Sequence, residues 1–442
     1  MSDKSYSSKL APPSPLFIGI DLGTSGCRAV AIDSDGNLKA EAKVHYTDKN
    51  HKQQTPDDWW QATQVVLNSI TSKINHQHIQ SIAVDGTSGT VLLCDHSGTP
   101  LTPAVMYNEQ HAKPQAEFLK KYAPENSVVL SPTSSLAKVL WLLEHHQAEV
   151  PFHIVHQADW IAGQLCRRFD FSDINNVLKL GFDPINSVWP LWLTDLFKKN
   201  KIDRGTLPNV LVPGSKISSI DPHVASALGL PMDAEIIAGT TDSTAAFIAS
   251  GATEVGQAVT SLGSTLVLKV VSDIPINDSK HGVYSQPYGQ HWLVGGASNS
   301  GGAVLKYYFS DEQIASLTSQ LKPHVHTNLN YYPLIETGER FPVNDPNLAP
   351  RVTPKLDNDS LFFQGLLEGI SEIEHSGYKL LEKLGAPYPS SVLTMGGGAI
   401  NAGWKIIREH KLGVPVTVAT HTAAAYGTAK LAAKNYIKRE IK

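Results

Sequence analysis

The sequence predicts an α/β protein of two domains, each a mixed sheet flanked by helices, with a cleft between them. Three stretches carry that reading. Near the N-terminus, "LFIGIDLGTSGCRAVAID" is an apolar run, a turn of small residues and a second apolar run. Near the middle, "AVTSLGSTLVLKVV" repeats the device. Near the C-terminus, "SVLTMGGGAINAGWKIIREH" leads a strand into three glycines and then a helix. A copied unit suggests two related halves facing one another. Strands interleaved with helices indicate sheets covered by helices.

The elements follow in order. Residues 1–15, "MSDKSYSSKLAPPSP", are polar and contain proline. They lack the apolar core of a secretory signal and read as a disordered tail on a cytoplasmic protein. Leu16 to Ile20 form an apolar run that ends in Asp21. The turn Gly23-Thr24-Ser25-Gly26 leads to the run Cys27 to Ile32. After Asp35-Gly36, Leu38, Ala40, Ala42, Val44 and Tyr46 alternate with Lys39, Glu41, Lys43, His45 and Thr47. That period of two marks a half-buried strand and completes a three-stranded antiparallel meander. Thr55 caps a helix, with Pro56 at its first position and Asp57 and Asp58 at its positive end. A strand at Ile82–Val84, the polar turn "DGTSG" and a strand at Val91–Cys94 come next. The final "HTAAAYGTAKLAAK" reads as a small-residue helix packed closely on its neighbours. The division is placed at 16–249 and 250–442, with the last helix packing back on the first domain.

Composition excludes several classes. The chain has 442 residues and a net charge of −4, which offers no basic field for nucleic acid or an anionic membrane. No apolar stretch is long enough to span a bilayer. Cys27, Cys94 and Cys166 are dispersed in apolar segments without metal spacing, and read as buried thiols. His145-His146 and His324/His326 read as loop or surface histidines, because no carboxylate or cysteine cluster completes a site.

The turns point to phosphate chemistry. Mg²⁺ and phosphates need hard oxygen ligands and backbone donors with no bulk in the way. Asp21 at a strand end supplies the oxygen, and the turn after it supplies N–H groups and small hydroxyls. No Gly-x-x-x-x-Gly-Lys-[Ser/Thr] motif occurs, so the cradle would be two facing hairpins. In "EIIAGTTDSTAAFIASGA", Asp242 follows a strand. It is either the cap of the next helix or a general base for an attacking hydroxyl.

Asp21 in "GIDLGTSGCRAVAID", "AGTTDSTAAF", "SLGSTLVLK", "SNSGGAVLKYY" and "TMGGGAINAGWKIIR" occur in the order found in the FGGY carbohydrate kinases, which the chain resembles over roughly residues 16 to 435. The resemblance implies the actin-like ATPase (ribonuclease H-like) fold, with sugar on the N-terminal side of the cleft and ATP mainly on the other. It implies ATP and Mg²⁺ as cofactors, Asp21 at the metal and Thr24 at the transferred phosphate. Asp242 matches the family's catalytic base. Gly263, Ser264 and Thr265 match the second phosphate loop, and Gly302 lies where the nucleotide passes. Gly397, Gly398 and Asn401 match the adenosine site, with Trp404 flanking the adenine.

Departures bear on the acceptor. Ser88 and Gly89 stand where glycerol kinases carry Arg-Glu and typical xylulokinases Met-His. "MYNEQHA", with Asn108 and Glu109, replaces the family's frequent "WNDQR", and Thr422 replaces a usual Glu. Without the Arg clamp, glycerol is disfavoured. The compact chain is similar to plant and cyanobacterial pentulose kinases, which implies D-ribulose as acceptor, with xylulokinase the alternative. Ser88 is otherwise a plain turn residue, Asn108 and Glu109 caps of a following helix, and Asp159-Trp160 a helix start over the core. The rivals are an actin-like ATPase switch, which needs no base at Asp242, and a sugar sensor without turnover. The expected partners are a small sugar and ATP, with no nucleic acid or membrane, in a monomer or homodimer.

Overall fold

The opening meander forms. β1 (Leu16–Leu22) pairs antiparallel with β2 (Gly26–Asp33), which pairs antiparallel with β3 (Leu38–His45). The computed structural model describes residues 14–46, 54–146 and 151–440. The expected tail, apart from Ser14 and Pro15, and the expected strand residue Thr47 lie outside the described residues. Along β3, Ala40 and Ala42 are buried while Lys39, Glu41 and Lys43 are exposed, as alternation requires.

α1 (Pro56–Thr71) starts at the predicted cap. The Asp58 N–H donates to Thr55 Oγ1 (3.2 Å) and the Thr55 N–H to the Asp58 carboxylate (2.8 Å). This reciprocal pair satisfies two helix-start donors. Trp59, Val66, Leu67 and Ile70 form the buried face of α1 against the meander, each contributing about 1.5–3 kcal/mol when fully removed from water.

β4 (Ile79–Gly86) lies parallel to β1, the strand Glu235–Thr241 parallel to β4, and Lys216–Ser219 closes that edge antiparallel. The second sheet runs Tyr284–Tyr288, His291–Ser298, Leu266–Ser272, Gln257–Leu262, Ser391–Met395, Val416–Val418. From β3 in the first sheet and from His291–Ser298 in the second, the pairings read antiparallel, antiparallel, parallel, parallel. The copied hairpin is therefore part of a copied sheet. Between β4 and Lys216, short strands and helices bury a separate core that includes Leu93, Leu136, Leu140 and Phe197.

Two packing devices fix the site. Under the second sheet, Arg408 Nε and Nη2 donate to the two oxygens of Glu374 (both 2.6 Å), and Nη1 donates to Thr394 Oγ1 (2.7 Å). Thr260 Oγ1 donates to Glu374 (2.5 Å), so strands 257–262 and 391–395 are tied to both helices behind them. Removing one partner of such a buried pair costs about 3–5 kcal/mol. The last helix, Ala424–Glu440, lies against the first sheet, where Ser81 Oγ donates to the Ala432 carbonyl (2.8 Å). The approach is so close that a Cβ on Gly19 would stand 2.1 Å from the Ala425 oxygen, and one on Gly427 1.9 Å from the Ala245 oxygen. Small residues in "HTAAAYGTAKLAAK" serve this contact.

The three cysteines are buried and free. His145 stacks on Trp141, His326 reaches Glu368 (3.1 Å), and His324 lies against His410. Among the described residues, no group of three or more His, Cys, Asp or Glu is placed to enclose a metal ion, and no helix is long and apolar enough to cross a membrane.

Candidate active site

Three strand ends bring three carboxylates to one edge of the first sheet. Asp21 near the end of β1 is the register partner of Asp85 near the end of β4. Asp85 is in turn level with Thr240, two residues before Asp242. Asp85 is fully buried; Thr428 Oγ1 donates to one oxygen, and the other has no partner. Burial, then the charges of Asp21 and Asp242, hold its carboxyl well above the ordinary range. Asp21 is raised to about 6, by burial first and the Asp242 charge second, with Asp85 and Arg28 opposing.

Asp242 opens the helix Asp242–Ser250, and Thr241 occupies the cap position. The cap alternative is thus not the one adopted. One Asp242 oxygen accepts from the Ser243 N–H (2.6 Å). Burial raises its proton affinity, while that bond and the charges of Lys269 and Lys179 pull the other way. Lys269, on the second hairpin, donates to Ser243 O (3.3 Å), Ser243 Oγ (3.2 Å) and Gln286 Oε1 (2.8 Å). The two bonds to Ser243 join the two halves across the cleft beside Asp242.

The first hairpin turn is pinned from behind. Gln54 Nε2 donates to the Thr24 carbonyl (2.5 Å), Trp59 Nε1 holds Gln54 (2.8 Å), and Thr24 Oγ1 donates to Tyr107 OH (3.2 Å). On the other half, Gly263, Ser264 and Thr265 form the second turn. The N–H groups of Gly302 and Ala303 cap the carbonyls of Gly263 (2.8 Å) and Ser264 (3.1 Å). Gly396 closes on Leu262 and Gly263 so tightly that a Cβ would stand 2.7 Å from the Leu262 carbonyl carbon. Gly263, Ser264, Thr265, Gly302, Gly397 and Gly398 therefore share one neighbourhood. Asn401 caps the helix Ala402–Leu412 through the Trp404 N–H (2.9 Å), and its amide reaches Thr318 Oγ1 (3.0 Å).

Trp404 is a correction. Only 1% of it is exposed, its indole N–H donates to Ser371 Oγ (3.0 Å), and its ring lies under Gly398. The ring is spent in the core, so no face is open to flank a base. Asn108 is exposed, and its side chain makes no hydrogen bond among the described residues. Glu109 accepts from the Met106 N–H (2.7 Å) and pairs with His111 (3.2 Å). Neither caps the helix Lys113–Leu119, whose cap is Ala112. Asp159 does open its helix, accepting from the His156 N–H (3.1 Å) and from Ser172 Oγ (2.6 Å).

Ser88 is half-buried in the turn after β4, beside two lysines that the sequence reading passed over. Lys179 Nζ donates to the Ser88 carbonyl (3.1 Å). Lys138 Nζ donates to the carbonyls of Gly89 (2.9 Å) and Met106 (2.7 Å), and burial lowers its proton affinity to about 7. The signal was present: Lys179 and Lys269 are single charges inside the apolar runs "VLKLG" and "LVLKVV". The donor set around Asp21 fits a hydrated Mg²⁺ held by one carboxylate, since that ion keeps several of its waters.

Comparison with known proteins gives this arrangement its context. Residues 16–249 match the N-terminal domain of the FGGY family of carbohydrate kinases, and residues 258–436 match its C-terminal domain. The chain belongs to this family. It is an ATP-dependent sugar kinase with the actin-like ATPase fold of the FGGY enzymes. The ATPase-switch reading falls with that assignment. The kinase is 24% identical to the xylulose kinase of Staphylococcus xylosus over 445 residues, 94% of this chain and 90% of that protein. It is 21% identical to the gluconokinase of Bacillus subtilis over 370 residues, 80% of this chain and 68% of the other. Among solved structures, a xylulose kinase from Rhodospirillum rubrum superposes with a TM-score of 0.84 at 20% identity, covering 95% of this chain and 90% of its own.

Proposed function

We propose that this FGGY kinase phosphorylates a ketopentose, with D-xylulose ahead of D-ribulose. The observation that carries an acceptor-hydroxyl mechanism is the setting of Asp242. Its carboxylate stands at a helix start in the cleft, between Lys179 and Lys269 and within the field of Asp21. A carboxylate of raised proton affinity suits a general base, which must accept the hydroxyl proton as the oxygen attacks phosphorus. The rest is positioning and charge neutralisation. In this reading Asp21 holds Mg²⁺, which neutralises phosphate charge when bound. Thr24, Gly263, Ser264 and Thr265 cradle the phosphates, and Gly302, Gly397, Gly398 and Asn401 flank the adenosine. Ser88, Asn108 and Glu109 face the sugar.

The order of acceptors follows the names of the full-length relatives, which include several xylulose kinases. D-Ribulose remains the second reading because Ser88 and Gly89 replace the Met-His pair expected of typical xylulokinases. A site that hydrogen-bonds one hydroxyl of a sugar rejects its epimer strongly, since buried polar groups are then left unpaired. Comparison of kcat/KM for D-xylulose, D-ribulose, gluconate and glycerol at saturating Mg-ATP tests the proposal. Preference for D-xylulose supports it, preference for D-ribulose moves the second reading first, and preference for glycerol or gluconate overturns the ketopentose assignment.

A further inference from the structure

Three lysines surround the proposed acceptor site, and they differ in how their donors are used. An ammonium carries three N–H donors. Lys269 spends its donors on Ser243 and Gln286. Lys138 spends two on main-chain carbonyls. Lys179 makes one hydrogen bond, to the Ser88 carbonyl at 3.1 Å, and no carboxylate lies within ion-pair distance among the described residues. Lys179 sits in the short apolar turn Val177–Leu180, whose other residues Val177, Leu178 and Leu180 are buried. Its stem fills the space at Gly89, where a Cβ would stand 3.3 Å from Lys179 Cδ.

Lys179 is half-buried, so the two N–H donors it does not spend on Ser88 are left to water or to a ligand. Here the ammonium bonds the Ser88 turn and lies within the field of the Asp242 carboxylate. A sugar offers acceptor oxygens of the kind Lys179 lacks.

We propose that Lys179 is a contact residue for the acceptor sugar, donating to a hydroxyl or carbonyl oxygen bound between Ser88 and Asp242. The inference rests on the acceptor reading above. It gives the ammonium a second effect. Asp242 is faced by Asp21 from β1, Asp85 from β4, Lys269 from strand 266–272, Tyr284 from strand 284–288, and Lys179. Of these, Lys179 and Lys269 favour its ionised form. Loss of Lys179 therefore moves the proton affinity of the base upward.

The test uses Lys179→Met and Lys179→Gln in the full chain, with whichever carbohydrate the wild type phosphorylates best. Gln keeps a donor for the Ser88 carbonyl without the charge, so it serves if the Met variant folds poorly. Both variants should raise the acceptor KM by about 10- to 100-fold, the range for a lost hydrogen bond to a charged group. KM for ATP should hold, and the acidic limb of kcat/KM should move to higher pH. A purely structural lysine predicts a near-normal Gln variant with an unmoved pH profile. That result, or an ATP KM raised as much as the sugar KM, overturns the role of Lys179. The wild-type acceptor panel separately decides whether the sugar is a ketopentose.

Discussion

Asp21 and Asp85 stand side by side as register partners at the ends of the parallel strands β1 and β4. Two neighbouring carboxylates cannot both ionise cheaply, and one proton affinity is forced up. Asp85 is the one without water, with a hydroxyl on one oxygen and no partner on the other. Burial first, and the Asp21 charge second, raise its proton affinity well above the ordinary range. Asp85→Asn imitates its protonated form. It should leave both thermal stability and the pH at which Mg-ADP binding is half lost nearly unchanged, since the amide can still donate to Asp21 as the protonated acid does. Calorimetric titration across the acid range checks both. Asp85→Ala should instead destabilise the protein by about 1–3 kcal/mol, because the buried Thr428 hydroxyl loses its carboxyl acceptor and keeps only the Ala424 carbonyl at 3.2 Å.

Asp21 itself titrates near 6 in place of the ordinary 3.8. The folded chain binds this proton more tightly than the unfolded chain does. Its contribution to stability therefore falls as pH rises from about 4 to about 6, and is flat above that. Asp21→Asn should remove that slope and at the same time abolish Mg²⁺-dependent turnover, since it replaces an anionic oxygen ligand with a neutral one. Urea unfolding of both proteins across the window measures the first effect. Equal slopes would sink the assignment.

Asp242→Asn should lower kcat by at least roughly 10²-fold, the usual contribution of a general base, with ATP binding retained. Single-turnover phosphorylation and direct nucleotide titration separate the two. Wild-type turnover in this variant would return Asp242 to a purely local role at its helix start.

The three turns, the meander and the closing helix were legible because each depends on local chemistry: alternation in β3, the Thr55–Asp58 cap, small residues where backbones touch. The copied hairpin even foretold a copied sheet. What was not legible depends on where chains meet. Lys179 and Lys138 lie about 90 and 49 residues from the turn they hold, and nothing local ties them to it. Trp404 misled because an aromatic after a glycine turn looks like a base platform until the second partner, Ser371 on a helix 33 residues away, is known. Ser88 was chosen for its side chain, yet its carbonyl is the group that the structure engages.

Trp404 makes a stability prediction in place of a stacking one. Trp404→Ala should cost about 3–5 kcal/mol, the range for emptying a buried aromatic site. Trp404→Phe should cost less, chiefly the bond to Ser371. Thermal melts rank the two variants. If the Ala variant melts like the wild type while ATP affinity collapses, the ring is a ligand surface after all.

Gly397 and Gly398 are neighbours in sequence and opposites in surroundings. A Cβ on Gly398 would stand 2.7 Å from Trp404 Cζ3 and 2.9 Å from Leu262 Cβ, both parts of the core. A Cβ on Gly397 would meet nothing within 4 Å. Gly398→Ala should therefore force the turn or the indole to shift and lower the melting temperature. Gly397→Ala costs the folded chain no contact, and the substitution also narrows the unfolded ensemble, so stability should hold or rise by about 0.4–1 kcal/mol. The open side of Gly397 is the side on which the adenosine is proposed to lie. A methyl group there should raise KM for ATP while leaving KM for the sugar alone. Paired melts and kinetics on the two variants read both effects. A Gly397→Ala enzyme with normal ATP affinity would move the nucleotide away from this turn, whatever the fate of Gly398.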